Sequence, residues 1–150
     1  MSVNLVPADG GEVIQLAAGH LRVLEDGTNT GHRVGIAEFW IPPKTPGPPQ
    51  HVHREHDETF FVLTGALDFT SGTDTSRVLP GGLVTAPIGT PHTFANPDPD
   101  EAATFLFTST PDLYLNYFRD LSGATKRPGG LTRDVILEIM SNYATEPYLP

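Results

Sequence analysis

The sequence predicts a mainly β protein, an antiparallel sandwich or barrel followed by two short helices. Between residues 12 and 108, short runs of β-branched and aromatic residues alternate with turn residues and contain no helical pattern. The 15 glycines and 15 prolines are spread along the chain, as many short strands require. After residue 110 the apolar spacing becomes helical. At 150 residues we expect a single domain, 1–150.

The predicted strands are bounded by glycine and proline turns. Five prolines between residues 42 and 49 exclude a central strand there and predict a stiff, extended approach to His51. In the last strand, Phe105 and Phe107 share one face. The predicted strands form a barrel over about 12–108 and are 12–17, 20–25, 33–41, 58–63, 66–71, 77–79, 83–86, 92–95 and 102–108.

Two amphipathic helices are predicted over about 111–122 and 132–143. For the first, Thr110 offers an N-cap and Pro111 suits the first helical position. For the second, Thr132 is the expected cap. Both helices carry an apolar stripe, so each needs an apolar surface to cover. The stripe of the first helix consists of Leu113, Tyr114, Tyr117, Phe118 and Leu121.

Composition excludes several classes of function. The formal net charge of −9 opposes binding to nucleic acid or anionic membranes, which use clustered Lys and Arg. The chain has no cysteine, so disulfides, thiol nucleophiles and thiolate ligands are excluded. We find no signal peptide and no apolar run long enough to span a membrane, and we therefore expect a cytoplasmic protein.

The segment 51–58 has the composition of a metal site. His51 and His53 are two residues apart, so both side chains leave the same face of an extended strand, and Glu58 follows after a short bend. Two imidazoles and one carboxylate suit a divalent transition metal and not calcium or magnesium. The set has room for at least one more ligand.

Two spaced motifs resemble those of the cupin family. The first is His51-x-His53-x4-Glu58-x6-Gly65, and the second is Gly81-x5-Pro87-x-Gly89-x2-His92-x3-Asn96. The resemblance covers about residues 33–108 strongly. One position departs from the family pattern, because Thr45 stands where a glycine usually opens the first motif.

The resemblance implies a jelly-roll β-barrel that encloses one divalent transition metal ion. The ligands that it implies are His51, His53, Glu58 and His92, with one or more open positions for water, oxygen or substrate. Iron, manganese, nickel, copper, cobalt and zinc all remain candidates. A metal-free barrel with the same four polar residues is the alternative.

Among cupins, the chain most resembles single-domain proteins grouped with quercetin 2,3-dioxygenase, in residues 58–65 and in the helices after the barrel. The resemblance implies a metal-dependent dioxygenase acting on a small aromatic or enolic substrate, with Glu58 as the catalytic proton acceptor. One alternative is a metal-dependent isomerase, cyclase, lyase or decarboxylase that uses no oxygen. Another is a cupin that binds a small molecule without turnover.

Several further expectations concern the surroundings of the site. Phe60, Val62 and Phe94 are the candidates for an apolar substrate pocket, although aromatic residues inside a barrel are often plain core. His56 is out of phase with the other histidines, so we expect it to be exposed in the bend. Cupins commonly dimerise by covering edge strands, and we expect a homodimer formed through the N-terminal strands.

Overall fold

The computed structural model describes residues 3–149 and confirms the predicted fold class, mainly β and antiparallel with two helices near the C-terminus. Turn residues separate short strands throughout, as the glycine and proline spacing predicts. Along the described chain, the strands are β1 (Glu12–Gln15), β2 (His20–Glu25), β3 (Gly35–Ile41), β4 (His51–His53), β5 (Asp57–Thr64), β6 (Leu67–Ser71), β7 (Asp74–Val78), β8 (Leu83–Ala86), β9 (Thr93–Ala95), β10 (Ala103–Thr110) and β11 (Thr145–Pro147).

The strands form three hydrogen-bonded sheets. The largest has the order β1-β2-β3-β10-β5-β8, a second has the order β7-β6-β9, and β11 pairs with β4. An isolated bridge joins His51 to His92, with backbone N–H to carbonyl distances of 3.1 and 3.0 Å. This bridge brings the two sequence motifs into direct contact.

The core lies on the inner face of β3, β5 and β10. Alternate residues of β10 are buried, including Phe105 and Phe107, so the predicted alternation is confirmed. Phe39 of β3 stacks on Phe105 with ring centroids 4.8 Å apart. Burying each phenyl ring stabilises the fold by about 1.5–3 kcal/mol. The same inner face of β5 presents Glu58, so the site and the core share one surface.

The first helix, α1 (Tyr114–Ala124), begins three residues later than predicted. Thr110 is not its N-cap, because that residue extends β10 and pairs with Asp57 of β5. The N-cap is Leu113, which has no side-chain hydrogen-bond acceptor. Because Thr110 is held in the pairing of β10 with β5, the helix begins further along the chain than predicted.

The second helix, α2 (Arg133–Asn142), has the predicted cap. The hydroxyl oxygen of Thr132 accepts a 3.3 Å hydrogen bond from the backbone N–H of Val135. Phe118 of α1 packs edge-on against Phe39 at 5.2 Å, and Tyr143, just after α2, packs against Tyr117. The helices thus cover an aromatic end of the sheets. Among the described residues, no helix is long and apolar enough to cross a membrane.

Strand β11 was not predicted. Its residues Thr145 and Pro147 lie opposite His53 and His51 of β4. Three residues carry too little periodicity to indicate a strand, and the pairing joins segments more than 90 positions apart. The segment after α2 therefore reaches back to the strand that carries two predicted ligands.

Candidate metal centre and its cavity

Strand β4 and the neighbouring motif segments place the four predicted ligands at one point. His51 and His53 leave β4 on one face, Glu58 extends from the inner face of β5, and His92 precedes β9. One ligand atom from each residue lies within 4.8 Å of all the others. All four side chains are buried, with exposed fractions between 2% and 8%. Such a buried polar cluster requires partners or an ion.

Backbone carbonyls fix the ring orientation of His51 and His92. Nδ1 of His51 lies 3.0 Å from the carbonyl oxygen of Pro49, and Nδ1 of His92 lies 3.0 Å from that of Thr90. A carbonyl oxygen only accepts, so both Nδ1 atoms carry the proton and donate. Nε2 of each ring is then the nitrogen available to a metal.

The third imidazole is fixed by a side chain. Nδ1 of His53 lies 2.9 Å from the hydroxyl oxygen of Thr145, which donates its own proton to the carbonyl of Tyr143 at 3.0 Å. The hydroxyl therefore accepts from His53, and Nε2 of His53 is also left for a metal. Outward Nδ1–H donation of this kind is typical of histidines that bind metals.

The inward-facing atoms fit a cation. Oε2 of Glu58 lies 3.0 Å from Nε2 of His92 and 3.2 Å from Nε2 of His53. Two ligands bound at about 2.1 Å to one ion stand about 3.0 Å apart when they subtend a right angle. Nε2 of His53 is buried and has no hydrogen-bond partner among the described residues. Unprotonated nitrogens facing a carboxylate would repel it, and a divalent ion removes that repulsion.

The pKa shifts of the clustered side chains also bear on whether they can bind a cation. Burial, reinforced by the nearby charges of His92 and His53, lowers the pKa of His51 to about 4, so its ring stays neutral and able to bind a metal. Burial would raise the pKa of Glu58, but the surrounding imidazoles hold it well below its usual range. For His92, burial lowers the pKa, but the hydrogen bond and charge of Glu58 outweigh it and raise the pKa. A proton on His92 therefore competes with a metal.

The expectation that His56 is exposed is wrong. Its side chain is fully buried, and Nε2 lies 3.2 Å from Oε1 of Glu58. The bend between β4 and β5 turns the ring inward against His53, with ring centroids 4.1 Å apart. Strand periodicity does not extend through a bend, so spacing gave no valid prediction for this residue.

The departure at Thr45 leaves the local turn intact. The hydroxyl of Thr45 donates to the carbonyl of Pro42 at 2.8 Å, and its backbone pairs with that of Asn96. The turn uses Gly47 instead, with φ of 74° and its α-carbon close to the carbonyl of Phe94. A side chain at residue 47 would collide with that carbonyl, so glycine is required here.

A cavity of about 310 Å³ adjoins the metal centre. His51, Glu58 and His92 form part of its wall, and most of the remaining wall is aromatic or aliphatic. Of the predicted pocket residues, Phe60 and Phe94 line this cavity, whereas Val62 is completely buried in the core. The aromatic residues of the wall are Phe39, Phe60, Phe94, Phe107, Tyr114, Tyr117 and Phe118.

Two phenol groups in this wall were missed by sequence reasoning. Tyr114 and Tyr117 were assigned only to the apolar stripe of a helix, yet they stack with ring centroids 4.4 Å apart and line the cavity. Burial raises the pKa of both, so they are protonated donors at neutral pH. Ring centroids of Tyr114 and His53 are 4.5 Å apart, which places this phenol beside the ligands.

The cavity wall also has a distinct charge character. Among the described residues that line it, Glu58 is the carboxylate and none is Lys or Arg. Gln15, Thr45, Ser122 and Thr125 supply neutral polar groups. A substrate with a phosphate group would therefore find no side-chain cation there to pair with it.

The motif segment matches a known family. Residues 37–109 match the family model described as a cupin domain, and this stretch contains all four predicted ligands. Together with the fold, this match identifies residues 37–109 as a cupin domain. A comparison with curated proteins found no match.

Solved structures share the fold. A sugar phosphate isomerase of the cupin superfamily from Silicibacter pomeroyi DSS-3 is 24% identical, with a TM-score of 0.62 over 71% of this chain and 75% of that one. KdgF from Halomonas sp. is 15% identical, with a TM-score of 0.63 over 73% and 94%. The polyketide cyclase RemF from Streptomyces resistomycificus is 25% identical, with a TM-score of 0.60 over 73% and 80%. The neighbours thus include enzymes of several reaction classes.

Proposed function

We propose that this protein is a metal-dependent enzyme that acts on a small, planar aromatic or enolic compound in a dioxygenase-like reaction. His51, His53, Glu58 and His92 are the proposed ligands of one divalent transition metal ion. The observation that carries the proposal is the position of the donor cluster in the wall of an aromatic cavity. A ligand in this cavity would contact both the metal centre and the phenyl rings.

The shape and chemistry of the cavity support this substrate class. A volume of about 310 Å³ lies at the small end of ligand pockets. Aromatic rings favour flat substrates through stacked and edge-on contacts. Because the described residues of the lining include no Lys or Arg, a neutral compound or a single anion bound at the metal fits better than a phosphorylated one.

The side chains suggest how such a substrate is held. A bound divalent ion would supply an open position for a substrate oxygen and, if redox-active, a route to oxygen chemistry. Tyr114 and Tyr117 can donate hydrogen bonds to substrate oxygens, since both phenols are protonated. The surrounding phenyl rings exclude water, which strengthens these polar contacts.

Glu58 is the proposed acceptor of the substrate's hydroxyl proton. Its low pKa makes it a weak base while the imidazoles surround it. With the Nε2 atoms of His53 and His92 bound to a cation, neither ring could donate to Glu58, and His56 would be its remaining donor among the described residues. Whether Glu58 accepts the proton is therefore tested on metal-loaded protein, by comparing Glu58→Gln with wild type.

An oxygen-independent reaction is the second candidate. The 25% identity with a polyketide cyclase, spread over 73% of this chain, supports this candidate. The sugar phosphate isomerase and KdgF, at 24% and 15% identity, show the fold alone. The same ligands and phenols could promote cyclisation or isomerisation of an enolisable compound without redox change. The substrate class is shared, so the two candidates differ only in the need for oxygen.

The experiment begins with elemental analysis of protein purified without an affinity tag. Protein loaded with the metal found is then mixed with flavonols, catechols and 1,3-diketones, with oxygen uptake and substrate consumption recorded together. Uptake coupled to consumption supports the dioxygenase, and consumption under anaerobic conditions supports the second candidate. A ligand that binds and is recovered unchanged would indicate a binding protein. His92→Ala is the inactive control.

We also propose a homodimer in which the N-terminal strands pair with a second copy. Strand β1 is an edge of the six-stranded sheet, and its Val13 side chain is 53% exposed. Unpaired edges of this kind are commonly covered. Light scattering at micromolar concentration should give twice the mass of the chain; a monomer would contradict the proposal.

A further inference from the structure

His56 is packed inside the site although it is not one of the four proposed ligands. Its ring packs against both His53 and Tyr114, with centroid distances of 4.1 and 4.8 Å. No part of the side chain is exposed. A polar ring is costly to bury without hydrogen bonds, so its contacts indicate a role.

Among the described residues, the one side-chain hydrogen bond of His56 goes to a particular oxygen of Glu58. Nε2 of His56 lies 3.2 Å from Oε1, whereas Nε2 of His92 and of His53 lie near Oε2. The two oxygens of this carboxylate therefore have separate partners. Oε2 faces the ligand nitrogens, and Oε1 faces His56.

The protonation of the His56 ring follows from its partners. An ionised carboxylate only accepts, so Nε2 carries the proton and donates to Oε1. Nδ1 is buried and has no hydrogen-bond partner among the described residues. His56 thus presents an N–H, and not a lone pair, to the metal centre.

We propose that His56 is a positioning residue that holds Oε1 of Glu58, so that Oε2 alone joins the three imidazole nitrogens at the metal. The proposal rests on the metal centre of the proposed function. A carboxylate bound through both oxygens would occupy one more coordination position. By engaging Oε1, His56 keeps that position open for a substrate oxygen.

Three substitutions separate the hydrogen bond from the volume of the ring. In His56→Gln, the amide nitrogen can occupy the position of Nε2. In His56→Asn, the amide nitrogen lies closer to the position of Nδ1. His56→Leu removes the donor and replaces the ring with an apolar side chain of similar size. His20→Leu is the matched control, because His20 stacks on Trp40 outside the cluster.

The measurements are the Co²⁺ dissociation constant, from competition with a chromophoric chelator, and the visible absorption spectrum of the Co²⁺-loaded protein. We expect His56→Leu and His56→Asn to bind Co²⁺ about 10- to 100-fold more weakly, as is typical when a hydrogen-bond partner of a ligand is lost. Their spectra should change because the carboxylate is free to bind through both oxygens. His56→Gln should restore most of the affinity and the wild-type spectrum, and His20→Leu should match wild type.

Each other outcome overturns the proposal. Wild-type affinity and spectrum in His56→Leu would show that the hydrogen bond is dispensable, and the metal centre would stand without it. Equal defects in His56→Gln and His56→Leu, with normal thermal unfolding in chelator, would assign the effect to ring shape. Failure of the wild-type protein to bind any divalent transition metal would remove the metal centre itself, and the positioning role with it.

Discussion

Nδ1 of His53 donates a 2.9 Å hydrogen bond to the hydroxyl of Thr145, a residue 92 positions further along the chain. The same hydroxyl donates to the carbonyl of Tyr143, so its direction is fixed. One side chain in β11 therefore determines which nitrogen of His53 faces the proposed metal centre. This contact makes the segment after α2 part of the site.

Replacing Thr145 with valine should weaken metal binding without changing the shape of the side chain. Loss of the Thr145 hydroxyl leaves Nδ1–H of His53 buried and unpaired, which lowers the stability of the folded protein by about 1–3 kcal/mol. We expect metal affinity to fall about 10- to 100-fold, measured by chelator competition. Thr145→Ser keeps the hydroxyl and should behave as wild type; equal affinities in both variants would exclude an orienting role for Thr145.

Metal binding should stabilise the folded protein. With free metal at 100 times its dissociation constant, the free energy of unfolding should rise by about 2.7 kcal/mol. His53→Ala and His92→Ala should fold but lose this metal-dependent increase, together with most of the bound metal. Urea unfolding with metal and with chelator measures the difference. His20→Ala should retain the full increase, and a retained increase in His92→Ala would remove His92 from the ligand set.

The stability of the metal-free protein should fall as the pH is lowered from about 6.5 to about 4. His51 has a folded-state pKa of about 4 against an ordinary value of 6.5, so in this window the unfolded state binds a proton that the folded state does not. Its contribution to the slope is about 1.4 kcal/mol per pH unit, with stability rising as pH rises. In His51→Gln the slope, measured by urea unfolding in chelator, should be shallower by that amount.

His32→Gln is the control for this titration. The hydrogen bond to Asp112 raises the pKa of the exposed His32 ring. Its stabilising contribution is therefore complete below pH 6.5 and is lost only as the pH rises through the folded-state pKa. The slope between pH 4 and 6 should match wild type in this variant. A steep slope that survives in His51→Gln would assign the titration to other groups.

Tyr117 should affect substrate binding and not metal binding. Its phenol lines the cavity and stacks on Tyr114. Tyr117→Phe keeps the ring and removes one hydrogen bond, worth about 0.5–1.5 kcal/mol, or roughly 2- to 10-fold in substrate affinity. Titration of metal-loaded protein with the best substrate from the screen measures the loss. A change in metal content would instead place Tyr117 in the structure of the metal centre.

Local sequence patterns correctly predicted structural features that depend on residues close together in the chain. Alternation identified the buried face of β10, and Thr132 identified the start of α2. The resemblance to the cupin motifs implied the four side chains that the fold brings together, because β4 and the segment before β9 are joined by a backbone bridge. The first two features rest on period and capping, whereas the link between Glu58 and His92 came from the resemblance.

The remaining features depend on contacts that no local pattern contains. His56 lies in a bend, where backbone direction and not periodicity decides what is buried. Thr145 reaches His53 only because β11 pairs with β4. Tyr114 and Tyr117 had the spacing of a helical stripe, and only the packing of α1 shows that the stripe faces a cavity. The residues that line the cavity were therefore the least predictable part of the site.

The proline-rich segment, residues 42–49, has a consequence for how this protein can evolve. Its Pro46 and Pro48 line the cavity, while the carbonyl of Pro49 orients His51. A substitution that reshapes this wall should therefore also disturb a proposed metal ligand, so we expect substrate range and metal retention to change together here. Residues of α1 such as Leu121 touch the cavity and hold no ligand. We therefore expect changes in substrate preference to accumulate in α1, where cavity-lining residues such as Leu121 can vary without disturbing a proposed ligand.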